Sequence, residues 1–232
     1  MTPSQLARCI DHTLLKPEAT AIQIDRLCDE AAAYGFAAVC INPIFVARAA
    51  RRLRNCPTRI ATVAGFPLGA NLTRVKTEEA RRAIEDGAME IDMVLRIGDL
   101  VAGELAAVTD DIATVAEAVH SASPGHLLKV IIETAVLSDD HIIAACGCCT
   151  AAGADFVKTS TGFHPAGGAT VHAVELLRRH AGTMQIKAAG GIRDLATAQA
   201  MLAAGASRLG MSASVAVLRE LQGRAEETPH PS

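Results

Sequence analysis

The sequence predicts an α/β fold, a single-domain (β/α)8 TIM barrel, and three observations carry that expectation. Short apolar runs alternate with helical patterns along the chain. A glycine-centred unit recurs four times, and eight strand candidates fit within 232 residues. Alternation of strand and helix gives a parallel sheet, and eight such units in a chain of this length is the economy of a closed barrel. A doubly wound open sheet would share the alternation, but the first strand-to-helix turn lacks Gly-x-Gly-x-x-Gly.

The recurring unit ends a helix, turns at glycine and enters an apolar run. Its copies are Tyr34-Gly35-Phe36-Ala37-Ala38-Val39-Cys40, Asp86-Gly87-Ala88-Met89-Glu90-Ile91-Asp92, Ala152-Gly153-Ala154-Asp155-Phe156-Val157-Lys158 and Ala204-Gly205-Ala206-Ser207-Arg208-Leu209-Gly210. Glycine tolerates the left-handed conformation that stops a helix, so each copy reads as a C-cap followed by a strand. Further strands are expected at Ile10–His12, Arg59–Ala64, Leu127–Ile132 and Met184–Ala188, with a short helix ahead of the first. Helical patterns fill the intervals: Ala21–Ala33, Ile44–Leu53, Thr73–Glu85, Glu104–His120, Asp139–Ala152, Val171–His180, Asp194–Ala204 and Ala213–Leu221. The barrel should occupy residues 1–223, and the polar, proline-rich 224–232 should fray.

Composition narrows the function. The net charge of −3 and the small aromatic content argue against nucleic-acid binding. Arg48, Arg51, Arg52 and Arg54 fall at helical spacing and read as a solvated helix face. No apolar run approaches a membrane span, and the N-terminus has no secretory pattern, so a cytoplasmic enzyme is expected. Cys146, Cys148 and Cys149 resemble metal spacing, but on a helix their thiols point to different sides and no second Cys/His cluster completes a site. No metal is expected, and the thiols should pack as small reduced hydrophobes.

The fifth residue after each repeat glycine marks the strand end that opens into a barrel's active site. Those positions hold Cys40, Asp92, Lys158 and Gly210. Lysine is scarce: of the five in the chain, Lys129, Lys158 and Lys187 sit inside apolar strand runs. A buried lysine is costly unless paired, so each needs a reason. Lys129, mid-strand, reads as structural, with Glu133 on the same strand face as a possible partner. Lys158 and Lys187 lie later in their strands. A lysine is a poor nucleophile while protonated, but burial and a second ammonium lower its pKa and free the amine to attack a carbonyl and form an imine. A carboxylate such as Asp92 can move the protons, or serve only as a structural ion partner.

Two loops suggest a second role. Ala188-Ala189-Gly190-Gly191-Ile192-Arg193 follows the Lys187 strand, and Leu209-Gly210-Met211-Ser212-Ala213-Ser214 follows the last strand. Small residues there let backbone N–H groups and a helix N-terminus surround a phosphate, and the loops after strands seven and eight are the usual phosphate site of this barrel.

These residues resemble one family closely, deoxyribose-phosphate aldolase. The matching segments run nearly the whole length: Ile10-Asp-His-Thr-Leu-Leu-Lys-Pro17, Ala38-Val-Cys-Ile-Asn-Pro43, Val63-Ala-Gly-Phe-Pro-Leu-Gly69, Glu90-Ile-Asp-Met-Val94, Leu128-Lys-Val-Ile-Ile-Glu-Thr134, Gly153-Ala-Asp-Phe-Val-Lys-Thr-Ser-Thr-Gly-Phe163 and Ile186-Lys-Ala-Ala-Gly-Gly-Ile-Arg193. The resemblance implies a class I aldolase of deoxynucleoside catabolism. It would cleave 2-deoxy-D-ribose 5-phosphate reversibly to acetaldehyde and D-glyceraldehyde 3-phosphate, with no cofactor because the imine is the electron sink. It implies that Lys158 forms the Schiff base, that Lys187 lowers the pKa of Lys158, and that Asp92 relays protons through a water. The phosphate would lie against Gly162, Gly190, Gly191, Arg193, Gly210 and Ser212. Thr161 would meet substrate hydroxyls, with Thr13 and Cys40 near the substrate. A homo-oligomer, most simply a dimer, is expected.

The chain departs from the family pattern in three places. The second of the two serines that the family often carries in the last phosphate loop is here Ala213, with Ser214 one place on; the terminal tyrosine of some members has no counterpart, Tyr34 being the only tyrosine; and His164-Pro-Ala-Gly-Gly168 makes a glycine-richer loop. Two other readings stand beside the main one: a Schiff-base aldolase for another sugar phosphate, and a phosphate-binding barrel without catalysis. Retention of Asp92, Lys158 and Lys187 argues against the second.

Overall fold

The computed structural model describes residues 1–226. A short helix α1 (Pro3–Ala7), held by a Thr2–Gln5 capping box, precedes strand β1 (Ile10–Leu14). Then follow α2 (Ala21–Tyr34), β2 (Ala38–Ile41), α3 (Val46–Arg52), β3 (Arg59–Ala64), α4 (Thr73–Glu85), β4 (Glu90–Val94), α5 (Ile97–Val101) and α6 (Leu105–His120). The second half runs β5 (Leu127–Ile131), α7 (Asp139–Ala151), β6 (Phe156–Lys158), α8 (Val171–His180), β7 (Gln185–Ala189), α9 (Leu195–Ala204), β8 (Arg208–Met211) and α10 (Ser214–Glu226). The strands pair in chain order, all parallel, and β8 closes on β1.

All eight expected strands are present, with ends shifted by up to two residues. The four repeat glycines all have positive φ, between 69° and 124°, as a left-handed helix stop requires. The helix expected over Ile44–Leu53 is divided, because Pro43 opens a 3-10 turn, Pro43–Phe45, before α3. The extra helix α5 is only five residues long, too short to show a helical period, and was not anticipated. The expected tail falls mostly outside the described residues; the backbone of 224–226 continues α10.

Strand side chains alternate between the helices and the barrel interior. Ile91, Met93, Leu128, Val130, Val157 and Leu209, all fully buried, belong to the main core outside the barrel. At roughly 25 cal/mol per Å2 of apolar surface, that shell is the chief source of stability. The interior is different. Half is lined by Ala38, Cys40, Ala61 and Val63, and half by charge.

Polar pairs fix the outer layer. Arg48 grips Asp25 through two bonds (2.7 and 2.6 Å), and Arg52 grips Asp29 likewise, so two of the clustered arginines tie α3 to α2. Lys76 and Asp111, both buried, join α4 to α6 at 2.7 Å. The seven cysteines are free. Cys146 and Cys149 are wholly buried, whereas Cys148 turns its thiol to the Leu105 carbonyl at the start of α6.

Candidate active site

Strand register places the interior side chains in layers. Stepping one residue along each successive strand, as barrels of this kind do, the pairings stack four residues at a time from alternate strands. The floor holds Ala38, Glu90, Phe156 and Arg208. The middle layer holds Asp11, Ala61, Lys129 and Lys187. Above it lie Cys40, Asp92, Lys158 and Gly210, and Thr13, Val63, Ile131 and Ala189 ring the mouth. The fifth residue after each repeat glycine therefore does fall in one layer. Only Lys158 is the last residue of its strand, while Asp92 is central in β4 and Lys187 central in β7.

Asp92 is the hub. Its Oδ1 accepts from Lys129 Nζ at 2.9 Å, and its Oδ2 accepts from both Lys158 and Lys187 at 2.7 Å. Lys187 also donates to Asp11, and Arg208 joins Asp11 (2.6 Å) to Glu90 (3.1 Å) at the floor. Lys129 is held by Glu90 (2.5 Å) and Asp92, not by Glu133. The expected Lys129–Glu133 pair fails because Glu133 lies beyond the end of β5, where its backbone turns left-handed (φ 59°) and breaks the strand alternation.

Within the barrel three carboxylates thus face four cations, with Arg59 adding a contact to Glu90 at 3.5 Å from the rim. One positive charge is in excess, and the lysine with fewest partners gives it up most easily. Lys129 and Lys187 each meet two carboxylates within 3 Å, and Lys158 meets one. Burial accordingly pushes the Lys158 pKa down, and the neighbouring Lys187 ammonium adds to the shift against the pull of Asp92. Burial opposes the charge on Lys187 too, but Asp11 and Asp92 outweigh it and hold its pKa above the usual range. Asp92 is kept well below the carboxylate range: burial alone would raise it, but Lys129, Lys158 and Lys187 prevail. Cys40, in the same layer, is raised by burial.

The other expected site residues divide by position. Gly162, Gly191, Arg193 and Ser212 are exposed beyond the ends of β6, β7 and β8, with Gly190 half-buried among them. Arg193 makes no ion pair among the described residues. An added Cβ on Gly168 would stand 2.3 Å from the Gly190 carbonyl, so the loops after β6 and β7 meet backbone to backbone. Gly210 is elsewhere. It is buried within β8, and a Cβ there would stand 3.1 Å from Lys187 Cε. Thr13 donates to the Asp11 carbonyl at 2.8 Å.

Ser214 does not take the place of the missing serine at 213. It is fully buried, with Oγ 2.9 Å from the Met211 carbonyl and 3.0 Å from His12 Nδ1, and His12 Nε2 meets Glu30 at 2.8 Å. This Ser–His–Glu chain, buried at Ser214 and His12 and partly exposed at Glu30, ties the loop after β8 to β1 and α2. Its residues carried no signal in the sequence beyond their polarity, and Asp11, Glu90 and Arg208 were likewise missed. So was Ser160, whose buried hydroxyl has no hydrogen-bond partner among the described residues.

A closed parallel barrel that buries a lysine of lowered pKa beside a carboxylate and a second lysine has the parts of an aldolase of the imine-forming class. Residues 6–220 match the model of the DeoC/LacD family aldolases. The chain belongs to that family. It is 48% identical over 222 residues to the deoxyribose-phosphate aldolase of Carboxydothermus hydrogenoformans, covering 95% of this chain and 97% of the relative. It is 49% identical over 218 residues to that of Lactococcus lactis, covering 94% and 97%. Among solved structures, the tetrameric deoxyribose phosphate aldolase of Aeropyrum pernix superposes with a TM-score of 0.88 at 32% identity, covering 96% of this chain and 93% of that one.

Proposed function

We propose that the protein is a deoxyribose-phosphate aldolase in which Lys158 is the nucleophile, Lys187 the charged neighbour and Asp92 the proton carrier. The observation that carries the assignment is the single carboxylate partner of Lys158 against two each for Lys129 and Lys187. In cleavage, the neutral Lys158 amine adds to C1 of open-chain 2-deoxyribose 5-phosphate and water leaves as the iminium forms. The C3 hydroxyl gives up its proton, the C2–C3 bond breaks, and its electron pair enters the iminium to give an enamine. Glyceraldehyde 3-phosphate departs; protonation of the enamine carbon and hydrolysis release acetaldehyde and restore the amine. Asp92, ionised and in contact with Lys158, suits proton transfer at nitrogen in both steps.

The phosphate is assigned to Gly162, Gly190, Gly191, Arg193 and Ser212, supported by the exposure of all but the half-buried Gly190 at the mouth and by the donors that glycine backbones offer an anion. Gly210 is better read as a spacer above Lys187. A cytoplasmic location is supported by seven unpaired cysteines, and no helix among the described residues is long and apolar enough to cross a membrane. A homo-oligomer is proposed by analogy with the tetrameric relative.

The decisive experiment is borohydride reduction in the presence of acetaldehyde, followed by peptide mass analysis. An ethyl adduct on Lys158 is expected; an adduct on Lys187 or Lys129 instead overturns the assignment. Cleavage of deoxyribose 5-phosphate compared with ketose phosphates separates this reading from an aldolase for another sugar phosphate.

A further inference from the structure

Glu133 is a buried carboxylate that the ion network does not use. No ammonium or guanidinium lies within ion-pair distance of it among the described residues, and it is the only non-glycine residue among them with positive φ. A left-handed backbone is unfavourable for a residue with a Cβ and is kept where the surroundings demand it. Here the turn carries the carboxylate across to the loop after β6. Thr161 donates its backbone N–H to Glu133 Oε1 at 3.2 Å and its hydroxyl to Oε2 at 2.5 Å. Both residues line a cavity of about 490 Å3 at the barrel mouth, walled by Pro67, Leu68, Ile97 and Phe163.

The consequence lies in the polarity of one hydroxyl. Threonine has one proton to give and two lone pairs. Thr161 gives its proton to Glu133, and one lone pair accepts the Phe163 N–H at 3.0 Å. One lone pair is left, so Thr161 can meet a bound molecule only as an acceptor. The oxygen that reacts in an aldol step alternates between carbonyl and hydroxyl, and its carbonyl form needs a donor. An acceptor-only threonine suits a hydroxyl that stays a hydroxyl throughout.

We infer that Glu133 is a positioning residue that fixes Thr161 as the acceptor for the non-reacting hydroxyl of the aldehyde substrate, the 2-hydroxyl of glyceraldehyde 3-phosphate. The inference rests on the aldolase reading above and adds the residue that sets hydroxyl selectivity. Loss of the carboxylate would let the Thr161 proton turn into the cavity and oppose the substrate's own proton.

The test is acetaldehyde addition to two acceptors, D-glyceraldehyde 3-phosphate and 3-oxopropyl phosphate, which lacks only the 2-hydroxyl. The wild-type rate with the first acceptor tests the aldolase reading. The ratio of kcat/KM values between the two acceptors tests Glu133. In Glu133→Gln the amide NH2 can donate to Thr161, and the ratio should fall about tenfold, the worth of one well-formed hydrogen bond. A ratio within twofold of wild type, even with both rates lowered, reduces Glu133 to a structural role and overturns the inference. If Glu133→Gln does not fold, Thr161→Val should collapse the ratio and Thr161→Ser should keep it, and the opposite pattern overturns the inference as well. The double variant should match Thr161→Val alone; a further fall in the ratio would show that Glu133 does not act through Thr161.

Discussion

Lys158 and Lys187 donate to the same carboxylate oxygen, each with its Nζ 2.7 Å from Asp92 Oδ2. Two ammonium groups so placed oppose each other's charge, and the remaining contacts decide which one yields. Lys187 keeps Asp11 as a second anion, whereas Lys158 has none. Removing Lys187 removes the opposing charge and leaves Asp92 free to favour the protonated form of Lys158. Lys187→Leu should therefore move the pH optimum of residual activity upward, by about one unit or more. A pH–rate profile of kcat/KM checks this, and an unchanged optimum removes the pKa-lowering role.

Asp92, the proposed proton carrier, also holds the interior together through Lys129, Lys158 and Lys187. Its replacement by Asn leaves three buried lysines sharing one anion fewer, and breaking such a pair from one side costs about 3–5 kcal/mol. Asp92→Asn should lose activity and lower the unfolding free energy, measured by urea titration, by an amount of that order. The wild type has an acid signature too. The folded-state pKa values of Asp11 and Asp92 both lie below the ordinary value. Their stabilisation is thus fully present above about pH 4, the unfolded value, and is lost as pH falls through the folded values. Urea unfolding between pH 6 and pH 3, pH values chosen to bracket that point, should show a shallower acid loss in Asp92→Asn.

At the proposed phosphate end, the structure separates two serines that adjoin Ala213. Ser212 is exposed beside the glycine loops, and Ser214 is buried against His12. Ser212→Ala should raise KM for deoxyribose 5-phosphate about fivefold or more while leaving KM for unphosphorylated deoxyribose little changed, the effect of one lost hydrogen bond to a charged group. Ser214→Ala should instead lower stability by about 1–2 kcal/mol, with no preference between the two sugars. A phosphate-selective effect at Ser214 would reverse the assignment.

What could be read from sequence follows from where physical rules are local. Gly35, Gly87, Gly153 and Gly205 each stop a helix through their own backbone, so strand positions and their common layer were legible. Lys129, Lys158 and Lys187 stood out because charge inside an apolar run needs a partner. The partners were harder to name. Glu90 and Arg208 begin their strands and look like solvent-facing residues, and Asp11 meets Arg208 only because β8 closes on β1. Glu133 was assigned by strand alternation to Lys129, and a left-handed turn without a glycine gave no warning that the alternation had ended.

Gly210 provides the sharpest contrast between a phosphate role and a packing role. It shares a layer with Asp92 and Lys158 but contributes no side chain, and the space so left is where the end of Lys187 rises from the layer below. An added methyl group would stand 3.1 Å from Lys187 Cε and from Ala189 Cβ, closer than such atoms ordinarily pack. The backbone φ at 210 is not left-handed, so Gly210→Ala tests the contact without straining the chain. Overpacking of this kind costs about 1–3 kcal/mol. Lys187 is the side chain with freedom to move, and its displacement loosens the shared contact at Asp92 Oδ2. Gly210→Ala should then lower kcat by about tenfold or more and raise the pH optimum in the same direction as Lys187→Leu, with KM for the phosphorylated sugar nearly unchanged. A rise in KM confined to phosphorylated substrates, with kcat and its pH profile intact, would return Gly210 to the phosphate site.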